Sequence, residues 1–210
     1  MSLLAGCAPY QQPSSAVLQQ QGLRFFKPIT TWREFLYAGV VEQQYDYSCG
    51  AAAMSALLKY YFDDPVPEDE VIKDILNALK SEAHENRKEK GFSLLDLKNF
   101  AERRGYQGVG LRLSAEQLLK LTGPVLAFVS TNEYKHFLLI KGITGNRVWL
   151  ADPSRGNIRM SIHQFKQEWD GIILALGKSG FQALSNHALK IPEFDVSQPE
   201  WITARKALYR

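Results

Sequence analysis

Cysteine is almost absent, with only Cys7 and Cys49 in 210 residues. Pairing them would tie the first residues to the proposed start of a helix, and a chain of this length buries a core without staples, so no structural disulfide is expected. Long apolar runs are missing too. None reaches the roughly 18 to 20 residues that span a bilayer, so the body of the protein is expected to be soluble. Charge of one sign is also lacking: the net charge is +3, from 25 Lys and Arg against 22 Asp and Glu, and the two signs are interspersed. No basic helix face or aromatic-plus-arginine ladder stands out, so nucleic acid is not indicated as a partner. The paired, close-spaced ligands of structural zinc sites are absent, and neither a metal nor a cofactor is expected. No internal repeat is visible.

What is present divides into three parts. Residues 1–22, rich in Gln, Pro and Ser without helical or strand period, read as a disordered N-terminal tail. Residues 23–177 read as the domain, and 178–210 as a partly helical C-terminal extension with a last helix over Trp201–Tyr209. Within the domain, Leu23–Val41 carries Phe25, Phe26, Trp32, Phe35 and Tyr37, enough aromatic surface to pack along the body. Val40–Gln43 has strand character, and Ala51–Phe62 is a run of helix formers that Pro65-Val66-Pro67 ends. Glu68–Lys80 has Ile72, Ile75, Leu76 and Leu79 at helical spacing, with acidic residues in the first turn where the helix dipole favours them. Lys80–Lys90 is mostly charged and reads as a solvated helix end or mobile loop, with His84 at the surface. Ser93 with Asp96, Ser114 with Gln117 and Ser161 with Gln164 are helix-opening pairs. After Pro124 the period changes: Val125–Ser130, Phe137–Ile143, Arg147–Ala151 and Ile172–Leu176 are β-rich runs. Helices first and a largely antiparallel sheet second define an α+β fold.

The chemistry centres on Gln43–Ala53. Cys49 falls about at the first helical position, where unpaired N–H groups and the dipole favour negative charge on sulfur. Gly50 to Ala53 are small, so another backbone can approach the thiol. Alone, these features suit a buried core cysteine as well as a nucleophile. Later residues alter the balance. A thiol at a helix start, with histidine and carboxylate on adjacent strands much further along, is the set a papain-like thiol enzyme needs. His136 begins one strand, and Asp152, in Asp152-Pro153-Ser154-Arg155-Gly156, ends the next. His163 lies amid Ile162, Phe165 and Trp169 and reads as packing or surface, and His187 sits in the weakly patterned extension. An oxyanion needs amide donors, and the Cys49 N–H and the side chain of Gln43 or Gln44 are at hand.

Strand geometry tests the His136–Asp152 pairing, because side chains alternate faces along a strand. A two-residue turn at Gly145-Asn146 would put Leu139 opposite Asp152 and turn Asp152 away from the face of His136. A three- or five-residue loop would set the two opposite each other, with Cβ atoms roughly 5 Å apart. An odd loop or an equivalent bulge is therefore predicted.

These residues resemble the bacteriocin-processing, double-glycine-leader peptidases, a papain-like group. The resemblance rests on Gln43, Asp46-Tyr47-Ser48-Cys49-Gly50-Ala51-Ala52, Gly91-Phe92-Ser93, Gly123-Pro124-Val125, Lys135-His136-Phe137 and Asp152-Pro153 with Gly156, which together span about residues 38–176. It implies a papain-like fold, with Cys49 as nucleophile, His136 as general base, Asp152 as orienter and Gln43 rather than Gln44 as oxyanion donor. Departures are Ala51 where many members carry Pro, the charged insert around 80–90, and the extra C-terminal residues. The form is similar to free-standing Gram-negative members, including those beside functional-amyloid secretion systems, which implies a peptide or protein substrate cut after small residues such as Gly-Gly. Leu4-Ala5-Gly6-Cys7 resembles a lipobox, implying a periplasmic, outer-membrane-anchored lipoprotein acylated at Cys7, with an upstream signal segment missing. Two other readings stay open at this point: a peptide-binding module that keeps the fold without cutting, and a papain-like acyltransferase.

Overall fold

Strand β5 (Lys135–Thr144) is buried on both faces over its first half, and the molecule is layered around it. The computed structural model describes residues 15–20, 23–28, 30–130, 135–182 and 186–191. Cys7 and the helix expected over 201–209 lie outside the described residues. β5 belongs to a six-stranded sheet with β3 (Gln107–Arg112), β4 (Val125–Ser130), β6 (Arg147–Asp152), β7 (Gly156–Ser161) and β8 (Ile172–Gly177). The order is β3-β8-β4-β5-β6-β7, and every pairing is antiparallel.

Phe137 and Leu139 of β5, with Leu126 and Leu174, share one core with three helices: α2 (Cys49–Tyr61), α3 (Glu68–Ala78) and α5 (Leu94–Arg103). The helices contribute Met54, Leu57, Val71, Ile75, Leu97 and Phe100 to it. Leu138 and Ile140, pointing the other way, join Val148, Leu150 and Ile173 beneath Leu118 of α6 (Ala115–Leu118) and Phe165 of α7 (Ile162–Glu168). Each of these core side chains removes an aliphatic or aromatic surface worth about 1.5 to 3 kcal/mol from water. The helix-opening pairs appear as full capping boxes at Ser93/Asp96, Ser114/Gln117 and Ser161/Gln164.

Several local readings are revised. Ser15–Gln20 is strand β1, paired antiparallel with β2 (Leu23–Pro28), although this stretch reads as tail. In the sequence the two runs are separated by Gln21-Gly22, a short glycine-bearing connection that suits a hairpin, and backbone pairing needs no apolar period. Val40–Gln43 is not a strand. It runs alongside the sheet with a hydrogen bond from Gln43 N–H to Pro153 O, 3.0 Å. The charged stretch after α3 is ordered as a 3-10 turn (Ser81–Ala83) and helix α4 (His84–Lys90). Arg87 pairs with the buried Asp96 at 2.6 Å, and His84 Nε2 lies 2.7 Å from Leu76 O at the end of α3, so His84 is a cap and not a bystander.

The lead-in helix α1 (Trp32–Leu36) lies against the turn after β6. Tyr37 Oη donates to Ser154 O at 3.1 Å, and Asn157 Nδ2 donates to Leu36 O and Ala38 O. Gly156, at φ +78°, leaves room for this crossing, since a Cβ there would sit 2.6 Å from Leu36 O.

The β5–β6 connection is the two-residue turn, with Thr144 opposite Arg147. The register then shifts by one between Ile140 and Gly142. Lys141 is the extra residue of a β-bulge, and Gly142 takes φ +147° beside it. Beyond the bulge Leu139 faces Ala151, so the continued register sets Leu138 across from Asp152. His136 is two residues from Leu138 and therefore shares its face. The even turn and the bulge together restore the parity that the His136–Asp152 pair requires, with a diagonal rather than a directly opposed pair.

Candidate active site

The site forms where the start of α2 meets the start of β5. Ser48 is the N-cap of α2 but gives no side-chain cap, because its hydroxyl is turned to Tyr45: it donates to Tyr45 O at 2.8 Å and accepts from Tyr45 N at 3.1 Å. The helix therefore starts, at Cys49, with N–H groups not taken by a capping side chain. Gly50 is what lets α2 lie this close to β5, since a Cβ there would meet Leu97 Cδ1 at 3.0 Å and Phe137 Cδ2 at 3.1 Å. The approach is close enough for Phe137 N–H to donate to Cys49 Sγ at 3.5 Å.

His136, one residue before, is fully buried, and its Nε2 lies 2.8 Å from Asp152 Oδ1. The Cys49 thiol hydrogen-bonds the same ring. Burial alone would disfavour the charged ring, but its hydrogen bonds with Asp152 and Cys49 and the Asp152 charge outweigh it, and the His136 pKa is pushed up to about 9. Asp152 is equally buried. Burial works to raise its pKa, yet the His136 hydrogen bond and charge, the Ser154 hydroxyl and the Arg155 guanidinium hold its carboxyl well below the usual carboxylate range.

Asp152 is the most heavily bonded group in the site. Oδ1 accepts from Ser154 N (2.8 Å), Ser154 Oγ (2.8 Å) and Arg155 N (3.1 Å) as well as from His136, while Oδ2 accepts from Arg155 Nε at 2.8 Å. The sequence pointed to Asp152 at the end of a strand but not to Ser154 and Arg155 as the residues that fix its carboxylate. An Asp whose carboxylate accepts from backbone N–H groups two and three residues on is an Asx-type turn, and the order Asp-Pro-Ser carries that signal.

The two glutamines separate clearly. Gln44 has an exposed side chain and gives its backbone N–H to Glu68 at 3.2 Å. Gln43 is half-buried, is tied by its backbone to Pro153 next to Asp152, and turns its side-chain Nε2 to Tyr45 O at 3.0 Å. Of its two amide hydrogens, one is used by Tyr45 and one is left to give. Its Oε1 is buried without a hydrogen-bond partner among the described residues. The structure thus gathers Cys49, His136, Asp152 and Gln43 in one place, and leaves His163 at the surface and His187 against the Tyr61 ring, 4.9 Å away.

This fold, with a thiol, imidazole and carboxylate in series, defines a papain-like cysteine peptidase. Residues 38–180 match the Peptidase C39 family, and the chain belongs to it. Among its relatives it is 33% identical over 185 residues to the probable functional amyloid protease FapD of Pseudomonas aeruginosa, across 88% of this chain and 77% of that one. It is 27% identical over 138 residues to the lactococcin-G-processing and transport ATP-binding protein LagD of Lactococcus lactis, across 64% of this chain and 18% of the other. In fold it resembles the peptidase domain of Streptococcus ComA, with a TM-score of 0.56 at 20% identity over 68% of this chain and 99% of that domain. It also resembles a double glycine motif protease from an AMS/PCAT transporter solved with its leader peptide, with a TM-score of 0.53 at 24% identity over 65% of this chain and 89% of the other.

Proposed function

We propose that the protein cleaves a peptide or leader sequence after a Gly-Gly pair, with Cys49 as nucleophile, His136 as acid and base, Asp152 as orienter and Gln43 as oxyanion donor. The observation that carries this reading is the series formed by the Cys49 thiol, the His136 ring and Asp152 Oδ1, the last link 2.8 Å long, at the start of a helix that lacks a side-chain cap. With the thiol proton already held on the His136 ring, the sulfur attacks the scissile carbonyl carbon. The C–N bond then breaks as His136 gives that proton to the leaving amine. Water, deprotonated by His136, attacks the thioester and frees the acid and the thiol. During both steps the carbonyl oxygen carries negative charge beside the Cys49 N–H and the free hydrogen of the Gln43 amide, a contribution of about 3 to 4 kcal/mol per good donor.

The names of the relatives support the substrate: one is a functional amyloid protease and another processes lactococcin G, and a fold neighbour is a double glycine motif protease. A synthetic leader with Gly-Gly followed by several further residues is expected to be cut after the second glycine, as read by mass spectrometry, and its Gly-Val counterpart to stay whole. Equal cleavage of the two peptides would remove the Gly-Gly assignment, and transfer of the acyl group to an added amine in place of water would favour the acyltransferase reading.

The pH dependence has a definite sign. The His136 pKa is raised from 6.5 to about 9, so the folded protein favours the protonated ring. Its contribution to stability is complete below about pH 6.5 and is lost as pH rises through 9. Because the protonated ring supplies the leaving amine, the alkaline fall of kcat/KM is expected near pH 9. A fall centred near 6.5 would show that Asp152 does not hold the proton on the ring.

A further inference from the structure

We propose that Glu68 is a positioning residue for the peptidase site, a buried clamp that fixes the turn between Gln43 and Cys49 and so sets the oxyanion donor against the nucleophile. The proposal rests on the assignment of Gln43 and Cys49 to those roles. Glu68 opens α3, as do Asp69 and Glu70, and all three suit the helix dipole. Service to the dipole does not require burial, and Asp69 and Glu70 are exposed. Glu68 is only 2% exposed, and no cation pairs with it among the described residues. An unpaired buried carboxylate costs several kcal/mol unless hydrogen bonds replace its water.

The replacements all come from the loop ahead of Cys49. Gln44 N–H lies 3.2 Å from each Glu68 oxygen, so both oxygens accept from the backbone next to Gln43. Gln44 and Ser48 bracket the turn. Ser48 Oγ in turn holds both the N–H and the carbonyl of Tyr45, and that carbonyl is the group that takes Gln43 Nε2. Glu68 therefore holds the Gln44 backbone, the residue next to Gln43, while Ser48 holds Tyr45, whose carbonyl takes the Gln43 amide, and Ser48 runs directly into Cys49. The position is legible only in three dimensions, because Glu68 lies 19 positions after Cys49 and its sequence context is that of an ordinary acidic first turn.

The test separates oxyanion binding from thiol reactivity. A peptide aldehyde ending in glycine adds the Cys49 sulfur to its carbonyl carbon, the thiol proton ends on the oxygen, and the adduct needs the oxyanion donor. Iodoacetamide alkylates the same sulfur with loss of iodide and needs no such donor. Glu68→Ala and Glu68→Asp, which draws the carboxylate back by one methylene, are each expected to weaken aldehyde binding and lower kcat about 10- to 100-fold, with KM and the alkylation rate within about threefold of wild type. Glu68→Gln keeps an acceptor for Gln44 N–H and is expected to recover most of the loss. Gln43→Ala, the control, should weaken the aldehyde to a similar degree. Loss for Gln43→Ala with none for Glu68→Asp or Glu68→Ala overturns the clamp alone, and no loss in any variant overturns both the clamp and the role of Gln43. Alkylation falling in step with aldehyde binding also overturns the clamp, since the effect would then be on Cys49 itself.

Discussion

Replacing Cys49 with alanine is expected to reduce peptide cleavage about 100,000-fold or more, because the attacking group, its proton acceptor and the donors act as one unit. The fold should survive. Cys49 is buried at the helix start, but alanine is the better helix former, and among the described residues the one backbone hydrogen bond lost at the sulfur is the weak 3.5 Å contact from Phe137 N–H. Stability should stay within about 1 kcal/mol of wild type. Thermal unfolding beside kcat/KM on a cleavable leader checks both halves. A variant that keeps even a hundredth of the activity would take the nucleophile's role from Cys49, and a wild type that binds the leader without cutting it would restore the reading as a binding module.

Asp152→Ala is expected to be worse for the molecule as a whole. It removes the acceptor of five hydrogen bonds, leaving the fully buried His136 ring without its orienting partner and the Arg155 side chain without its ion pair. Breaking a buried pair of this kind costs about 3 to 5 kcal/mol, and cleavage should fall about 1,000- to 10,000-fold as the ring loses its tautomer and its proton. Asp152→Asn separates the two contributions. The amide oxygen still accepts from His136 Nε2, so the ring stays oriented and most of the stability remains. The negative charge is gone, so the alkaline fall in kcat/KM should move well below pH 9. Full activity with an unmoved alkaline limit in Asp152→Asn would show that the Asp152 charge has no part in the reaction.

The helical half of the fold was legible because its signals are local. Three capping boxes and the apolar spacings in α3 and α5 need only a few consecutive residues. The central strands announced themselves as continuous apolar runs because they are covered on both faces. β3 and β7 did not, and both are edges of the sheet. β3 carries Gly108 and Gly110 and is mostly exposed, while β7 alternates Asn157 and Arg159 with apolar neighbours too few to show a period. Cys49, His136 and Asp152 could be ranked from the sequence because the chemistry demands those residue types in that order. Ser154, Arg155 and Glu68 could not, since each is defined by what it touches across a turn or from another helix.

The bulge at Lys141 makes the β5–β6 hairpin answerable to number rather than to composition. At the tip, Gly145 suits the turn through its φ of +58°, and no catalytic contact depends on the side chains there. Length is not free. One residue added or removed between His136 and Asp152, without a second change of the same size, would turn the carboxylate to the opposite side of the sheet, and with it the buried Val148 and Leu150. Changes of two would pass unnoticed. The tip of this hairpin can therefore diverge in steps of two, and in a relative that has gained or lost a single residue there, the compensating irregularity must be sought within the same pair of strands.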